Sequence, residues 1–297
     1  MLMNDQQVQT LMEALPYLSE FKGKTIVVKY GGNAMLNDEL KTNVLRDIVF
    51  LQCAGMRPVV VHGGGPEITR QLMQAGKKSE FVSGLRVTDA ESVGIAEMAL
   101  VGKINTDLVA RLNTLGAKAV GLNGKDANLI QAKKHLADVY ENGEVNLVDI
   151  GYVGNVEHIN TELIECLLDG GFIPVIAPTG VGSQGETYNI NADSVAGEIA
   201  GALKAEKLLV LTDVRGIYSD YRDESTFIST MSFEKAQELI IRGNIDGGMI
   251  PKVRACITAL SGGAKKAQII DGRAAHSILM EIFSDKGVGT EVVKEVR

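Results

Sequence analysis

The segment PVVVHGGGPEI, residues 58–68, contains the pattern on which the fold depends. Its run of valines predicts a strand over Pro58–His62 that is buried on both faces, and the proline after the glycines predicts a helix over Pro66–Ala75. Between them, consecutive glycines place backbone N–H groups at a helix N-terminus, where the helix dipole favours negative charge. We therefore expect Gly63, Gly64 and Gly65 to bind an anion rather than to form only a tight turn.

The same arrangement recurs along the chain, because apolar runs are repeatedly followed by glycine. These runs lack the alternation of a one-sided sheet, as is typical of parallel strands buried on both faces. With helices between the strands, the expected fold is an α/β three-layer αβα sandwich with a mainly parallel, open central sheet, and its ligands bind beyond the carboxyl ends of the strands. Further strands are expected at Thr25–Lys29, Ala119–Leu122, Phe172–Ala177, Leu208–Thr212 and Gln268–Ile270, and further helices at Gln6–Phe21, Ala192–Leu203, Phe233–Arg242 and Pro251–Leu260.

Composition excludes several classes of protein. The chain of 297 residues has 33 glycines, 37 acidic and 30 basic side chains and a net charge of -7. This acidic balance argues against nucleic-acid binding, and no apolar run reaches the ~18 residues of a membrane span. The N-terminus lacks a signal-peptide pattern. Scattered cysteines (Cys53, Cys166 and Cys256) predict reduced core thiols in a cytoplasmic protein, or in the plastid stroma for an organelle-encoded chain.

Three regions are expected along the chain. Residues 1–22 contain an amphipathic helix, which could pack on its own domain. Its place before the first core strand leaves the apolar face available to another subunit, so an oligomerisation helix is predicted. Residues 23–180 and 181–297 are expected to form two lobes of one continuous domain. Residues 123–158 are less regular and are interpreted as hairpins and loops in a surface excursion.

Other glycine motifs fit alternative functions less well. Residues 180–185, GVGSQG, match the dinucleotide fingerprint after a strand, but no amphipathic helix follows immediately. A dinucleotide-dependent oxidoreductase therefore remains an alternative. Residues 23–25 imitate the end of a phosphate-binding loop but lack its earlier glycine. The HGGG segment resembles a lipase oxyanion loop, yet the chain contains no GxSxG motif.

Two lysines are placed where an anionic ligand would explain them. Lys29 closes a buried strand and precedes Gly31 and Gly32, so it is expected to point into the ligand crevice rather than only to reach solvent. Lys252 lies in the first helical turn after Pro251, where a cation opposes the helix dipole by roughly 0.3–1 kcal/mol. A phosphate bound at that end of the helix would offset this cost.

Polar residues at other strand ends complete the predicted site. Asn191 and Asp193 open one helix and could serve only as its capping residues, but Asn189 adds a polar group that capping does not require. Arg86 follows the first glycine-rich helix, and arginine binds carboxylates in a bidentate manner.

In this order, the motifs resemble the amino acid kinase superfamily, and within it the arginine-sensitive subgroup that acts on an acetylated glutamate. The resemblance extends from about residue 22 to 293. The family usually has asparagine where this chain has Ser83. The motifs that carry the resemblance are VKYGG (28–32), VHGGGPEI (61–68), GLRVTD (84–89), YNINAD (188–193), LTD (211–213) and GGMIPK (247–252).

The resemblance implies ATP-dependent phosphorylation of the side-chain carboxylate of N-acetyl-L-glutamate, the second step of arginine biosynthesis. It implies MgATP as co-substrate, no prosthetic group and no metal ligand among the protein side chains. Residues 23–180 would bind the amino acid and residues 181–297 the nucleotide. By the family pattern, Lys29, Lys252 and Asp193 are catalytic; Gly63, Gly64, Gly65, Arg86, Asn189 and Asn191 bind the acceptor; and Gly31, Gly32, Thr212, Asp213, Gly247, Gly248 and Met249 bind the nucleotide.

The resemblance also implies regulation and assembly. Feedback inhibition by L-arginine is expected, as is a hexamer built as a trimer of dimers through the N-terminal helices. Some members bind the PII signalling protein, which the sequence neither requires nor excludes. The arginine contacts implied are Tyr17, Lys207, His276, Glu281, Gly287 and Gly289.

Two alternatives lie within the same fold. A related kinase could act on a carrier-bound aminoadipate of lysine biosynthesis, and Lys77 and Lys78 could supply the basic surface for an acidic carrier. A nucleotide sensor without catalysis is the other alternative, but the presence of both lysines and of Asp193 argues against it.

Overall fold

The computed structural model describes residues 4–35, 37–141, 144–220, 222–245 and 247–295. A π-helical turn at Met98–Asn105 joins the helices at Ala90–Glu97 and Thr106–Thr114. No helix in these ranges is long and apolar enough to cross a membrane. The α-helices are α1 (Asp5–Phe21), α2 (Asp38–Cys53), α3 (Gly65–Gln74), α4 (Ala90–Glu97), α5 (Thr106–Thr114), α6 (Glu162–Asp169), α7 (Ala192–Ala202), α8 (Phe233–Ile241), α9 (Met249–Gly262) and α10 (Ser277–Ile282).

The strands form one large sheet and several smaller pairings. In chain order they are β1 (Thr25–Tyr30), β2 (Arg57–His62), β3 (Phe81–Val82), β4 (Leu85–Arg86), β5 (Ala119–Asn123), β6 (Ile130–Glu141), β7 (Glu144–Ile159), β8 (Ile173–Ala177), β9 (Thr179–Val181), β10 (Thr187–Asn189), β11 (Lys207–Thr212), β12 (Ile217–Tyr218), β13 (Phe227–Ile228), β14 (Thr230–Ser232), β15 (Lys266–Asp271) and β16 (Thr290–Val293).

The central sheet has the strand order β14-β16-β15-β11-β1-β2-β8-β5. All neighbours pair in parallel except β15 and β16, so the predicted open, mainly parallel sheet is confirmed. Strand β1 lies between β11 and β2, with Lys29 opposite Val210 and Val61. The carboxyl ends of these strands therefore form one edge, and the glycine-rich loops follow them there.

Helices cover both faces of the sheet, which explains why its strands do not alternate between polar and apolar residues. Along β1, Val27 packs in a core with α7 and α9, whereas Ile26 and Val28 face a second core with α2, α5 and α10. All three valine and isoleucine side chains are fully buried. The predicted three layers are thus present.

The hairpin predicted within residues 123–158 is confirmed, but its placement as a surface excursion is wrong, because part of it is core. Strands β6 and β7 form a long antiparallel hairpin that closes into a four-stranded barrel with β9 and β10. The base of the hairpin contributes Ile130 and Ile159 to the main core. Further along, Ala137, Ile150 and Val153 pack against the loop that carries Arg86. The hairpin therefore supports that loop.

The GVGSQG segment is the turn of an antiparallel hairpin, so the dinucleotide interpretation is wrong. Residues 180–185 join β9 to β10, and the Gly182 N–H donates to the carbonyl of Glu186 at 2.9 Å. A dinucleotide fingerprint requires a helix N-terminus directly after its glycines. Here the following helix, α7, begins only after β10 and is capped by Asn191.

The expectation of three core thiols is also wrong. Only Cys256 is buried, whereas Cys53 and Cys166 are exposed. In α6, Ile164 and Leu168 form the buried face. Cys166, two residues from each, lies on the opposite side of the helix.

Candidate active site

A buried carboxylate joins the two predicted lysines. Asp193 lies in the first turn of α7, and its Oδ1 is 2.9 Å from the Nζ of Lys29 at the end of β1. Its Oδ2 is 3.4 Å from the Nζ of Lys252, in the first turn of α9. Lys252 also donates to the carbonyl of Gly248 at 3.0 Å. The fold thus brings together three residues that are far apart in sequence, as their motifs predicted.

The bridge of Lys29, Asp193 and Lys252 leaves a net positive charge in a buried site. Burial raises the pKa of Asp193, but the charges of Lys29 and Lys252 outweigh that effect and the net pKa shift is downward. Asp193 therefore stays ionised between the lysines. Two cations and one anion carry a net charge of about +1, and low dielectric strengthens its attraction for a further anion.

The glycines beside Lys29 leave little space for a side chain. A Cβ on Gly31 would lie 2.9 Å from the Nζ of Lys29 and 3.7 Å from the Cα of Gly63. A Cβ on Gly64 would lie 2.5 Å from a methyl carbon of Leu100. The loop at 63–65 is therefore packed tightly on one side and partly exposed on the other, where Gly65 begins α3.

A buried polar pair behind the glycine loop was not predicted. His62 is fully buried, and its Nδ1 is 2.9 Å from the carbonyl oxygen of Gly63. Its Nε2 is 3.1 Å from the Nδ2 of Asn105, which also donates to the carbonyl of Val175 at 2.8 Å. Burial lowers the pKa of His62 to about 4. Asn105 ends the π-helical turn and belongs to no motif, so the sequence offered no signal for it.

Arg86 is a buried cation held by neutral groups. Its Nη2 donates to the carbonyl of Gly65 at 3.1 Å and to the hydroxyl of Thr69 at 2.8 Å, and its Nη1 donates to Ser79. Burial lowers its pKa. In the part of the chain that the structure describes, no acidic side chain forms an ion pair with Arg86. An anionic ligand would supply the missing negative charge, as predicted for an acceptor carboxylate.

The two asparagines predicted for the acceptor differ in setting. Asn189 ends β10, opposite Val153 and Thr179. The side-chain oxygen of Asn191 caps α7 by accepting from the N–H groups of Asp193 and Ser194. Its capping role is thus present, and its role toward an acceptor stays a prediction.

At Ser83, where the family usually has asparagine, the backbone conformation accounts for the usual asparagine. Ser83 has a φ of 48°, in the left-handed region that asparagine adopts more readily than serine. Its hydroxyl donates to the carbonyl of Asp138 on the hairpin. The position is therefore constrained by a turn.

A cavity of about 260 Å³ opens beside Lys252. Of the residues predicted to bind the nucleotide, Thr212, Asp213, Gly248 and Met249 line it. Gly31 lies instead beside Lys29, and Gly32 lines a separate cavity. Gly247, with a φ of 44°, forms the turn before α9. The lining residues that no motif indicated are Val214, Gly216, Ile217, Tyr218, Asn244 and Ile245.

A third, polar cavity lies at the opposite edge of the sheet. Of the residues predicted to bind arginine, Lys207, Glu281, Gly287 and Gly289 line it. The Nζ of Lys207 is 3.5 Å from Glu281, and both side chains are buried.

The remaining residues predicted to bind arginine lie outside that lining. Tyr17 reaches the rim by donating to Asp285. His276 pairs instead with the buried Asp47 at 2.6 Å. Phe21, whose ring centroid is 5.5 Å from the Nζ of Lys207, was not predicted.

The fold and the residues at its strand ends together indicate the class of protein. A model described as the amino acid kinase family matches residues 24–271, and the chain belongs to that family. Carbamate kinase from Giardia lamblia, solved with AMP-PNP, shares the fold with a TM-score of 0.64 at 19% identity, covering 92% of this chain and 99% of that one.

Sequence relatives narrow the class to the acetylglutamate kinases. The acetylglutamate kinase of Moorella thermoacetica is 57% identical over 95% of this chain and 96% of its own. That of Pelotomaculum thermopropionicum is 54% identical over 97% and 98%. The N-acetylglutamate synthase of Neisseria gonorrhoeae, solved with coenzyme A and N-acetyl-glutamate, has a TM-score of 0.82 at 29% identity. The match covers 98% of this chain but only 64% of that longer one.

Proposed function

We propose that this chain transfers the γ-phosphoryl group of ATP to the side-chain carboxylate of N-acetyl-L-glutamate, forming N-acetyl-L-glutamyl 5-phosphate and ADP in arginine biosynthesis. The observation that carries the proposal is the Lys29–Asp193–Lys252 bridge beside the glycine loop. The names and high identity of the relatives support the choice of acceptor.

The attacking group needs no base. A glutamate side chain has a pKa near ~4.3, so its carboxylate is ionised at neutral pH. The barrier comes from bringing this anion in line with a phosphoryl group that is also anionic. Lys29 and Lys252 neutralise the transferring group, and Asp193 holds both ammonium groups in place. Catalysis then rests on positioning and charge, as in other phosphoryl transfers.

The acceptor lies between the glycine loop and Arg86 in this proposal. Arg86 and Asn189 bind its α-carboxylate, and the N–H groups of Gly64 and Gly65 face the reacting carboxylate. The N–H of Gly63, which was also expected to bind the anion, instead donates to the carbonyl of Tyr30 at 2.7 Å. The lack of an acidic partner for Arg86 within the described residues supports this placement. With Asn191, these residues set the distance between the α-carboxylate and the reacting end of the acceptor.

The cavity beside Lys252 receives the nucleotide. Its apolar residues Ile217, Ile245 and Met249 suit a purine base, and Lys252 lies where the phosphates would extend toward β1. Gly31 and Gly32 leave room for the phosphates beside Lys29. Mg²⁺ enters with ATP as part of the co-substrate.

Regulation and assembly belong to the proposal as well. We propose that L-arginine binds the polar cavity of Lys207 and Glu281, whose cationic and acidic side chains suit a charged amino acid. A Neisseria gonorrhoeae synthase with 28% identity, solved with L-arginine, supports this ligand. The exposed apolar face of α1 supports assembly through that helix into a hexamer. We place the enzyme in the cytoplasm and leave PII as a partner to be tested.

An observation weighs against the aminoadipate alternative. Lys77, proposed as part of a basic surface for an acidic carrier, pairs with Asp89 at 2.7 Å and with Glu91 at 3.0 Å. These carboxylates neutralise the lysine. A free acetylated amino acid is therefore the better acceptor.

A coupled ADP-release assay tests the proposal. The purified chain is given MgATP with N-acetyl-L-glutamate, L-glutamate or N-acetyl-L-aminoadipate, each with and without L-arginine. We expect rapid turnover only with N-acetyl-L-glutamate, and hydroxylamine should trap the acyl phosphate. Faster turnover of the aminoadipate derivative would favour the alternative. An inactive chain with all three acceptors would contradict the proposal.

A further inference from the structure

In the buried pair of His62 and Asn105, the hydrogen-bond partners determine which atoms donate and which accept. The side-chain amide of Asn105 faces the carbonyl oxygen of Val175 at 2.8 Å. Carbonyl oxygens only accept, so the atom facing Val175 is the amide nitrogen, which only donates. The same nitrogen lies 3.1 Å from the Nε2 of His62. Nε2 must therefore accept, and it carries no hydrogen.

The other ring nitrogen then carries the proton. Nδ1 of His62 donates to the carbonyl oxygen of Gly63 at 2.9 Å. A charged imidazolium would direct an Nε2–H against the N–H of Asn105, so the ring remains neutral. The lowered pKa of His62, caused by its complete burial, agrees with that assignment.

This hydrogen bond fixes the peptide between Gly63 and Gly64. A trans peptide is planar, and its C=O and N–H point in opposite directions. Since the carbonyl of Gly63 turns toward the buried ring, the N–H of Gly64 turns away from it. No described residue accepts from the Gly64 N–H, and Gly64 is partly exposed.

We propose that neutral His62, held by Asn105, is a positioning residue that aims the Gly64 N–H at the acceptor carboxylate and the transferring phosphoryl group. The inference rests on the proposed function, since it names what sets the geometry of that site. His62 touches neither substrate and transfers no proton. Its contribution is to keep a donor in place before the anions arrive, so that less reorganisation is needed during the reaction.

Two substitutions distinguish the roles of the two ring nitrogens of His62. In His62→Asn, the amide nitrogen can reproduce the Nδ1 donor to Gly63. In His62→Gln, the longer side chain can reproduce only the contact with Asn105. A misplacement of about 1 Å at the reacting centre can cost ~10²-fold in rate. We expect kcat to fall by about that factor in His62→Gln, with the KM for ATP unchanged, and by only a few-fold in His62→Asn. Equal losses in both, or a greater loss in His62→Asn, would overturn the proposal.

A spectroscopic measurement does not depend on activity or on the stability of the variants. In the wild-type protein with ¹⁵N-labelled histidine, Nδ1 should give a pyrrole-type signal and Nε2 a pyridine-type signal at pH 6 to 8. An Nε2–H tautomer, or a charged ring at pH 6, would refute the inference even if the enzyme is active. Failure of the proposed function would instead appear as an inactive wild-type chain with an intact Nδ1–H signal.

Discussion

At the scale of single residues, Asp193 holds the ammonium groups of Lys29 and Lys252 on either side of one carboxylate. Its carboxylate lies between the two ammonium groups, and their charges hold the pKa of Asp193 below its ordinary value. Oδ1 and Oδ2 of Asp193 each face one ammonium group. The arrangement leaves one positive charge uncompensated until an anionic substrate binds. Binding of an anionic substrate would therefore neutralise the remaining positive charge of the site.

Removing either lysine should lower the turnover number steeply. We expect Lys29→Ala or Lys252→Ala to lower kcat by ~10²–10⁴-fold, on the scale of lost electrostatic stabilisation of a transition state. The measurement is steady-state kinetics with both substrates saturating. Lys24→Ala is the matched control, because Lys24 precedes the same strand and its side chain is about half exposed. Wild-type turnover in Lys29→Ala would exclude the assigned role.

His62 should also make stability depend on pH. Its pKa is lowered from 6.5 to about 4 by burial. Between these values the unfolded chain binds a proton that the folded chain does not. The stabilisation is therefore complete above pH 6.5 and is lost as the pH falls toward 4, by about 1.4 kcal/mol per pH unit.

Urea unfolding at several pH values measures this effect, with His62→Asn as the comparison. The variant has no group that titrates there, so the difference in unfolding free energy between wild type and variant should change with pH in that window. Parallel curves for the two proteins would show that His62 is charged or solvated in the folded state.

At the scale of elements, the site is assembled where strand ends meet helix starts. β1 delivers Lys29, β2 delivers the glycine loop, and α7 and α9 deliver Asp193 and Lys252. The two strands are short and buried over almost their whole length, so the sheet fixes their ends, and the two helices pack against the same core. A site at this edge needs no long loop to position it.

The sequence predicted these strand ends well because their signals are local. Glycines after valine-rich runs and Pro66 at a helix start are visible in the chain itself. The buried contacts of His62 could not be predicted, because its partner Asn105 is distant in sequence and lies in a π-helical turn. Likewise the hairpin at 130–159 has long exposed strands, and its packing on the core depends on barrel closure with β9 and β10.

Helix α1 exposes an apolar face that its own domain does not cover. Val8, Leu11, Met12 and Leu15 are each roughly half exposed. They lie on one side of the helix by the 3.6-residue period. We expect Leu11→Glu with Leu15→Glu to reduce the mass of the assembly, as measured by sedimentation velocity. Gln6→Glu, on the opposite side of the helix, should not change it. An unchanged assembly in the double variant would exclude α1 as an interface.

At the scale of the whole molecule, the proposed catalytic and effector sites lie at opposite ends of one strand. β11 begins at Lys207 in the polar cavity and ends at Thr212 in the nucleotide cavity. Five steps of about 3.3 Å separate them by about 16 Å. An effector at Lys207 therefore cannot displace a substrate directly. Inhibition by the proposed effector would therefore require a conformational equilibrium that both ligands bias, and the coupling would be reciprocal.

Helix α1 is placed to take part in that equilibrium. Tyr17 donates to Asp285 on the cavity rim, and Phe21 packs under Lys207, while the other face of the helix is free for a partner. We expect Tyr17→Phe to weaken inhibition by L-arginine by roughly 5–100-fold, the range of typical coupling energies. Initial rates at increasing arginine concentration measure this change, and Glu13→Gln, elsewhere on α1, is the control. Equal inhibition of Tyr17→Phe and wild type would mean that arginine acts without this contact.

The coupling between the two ligands should be reciprocal in the wild type. N-acetyl-L-glutamate should weaken arginine binding by the same factor by which arginine weakens acceptor binding. Calorimetric titration in both orders tests that equality.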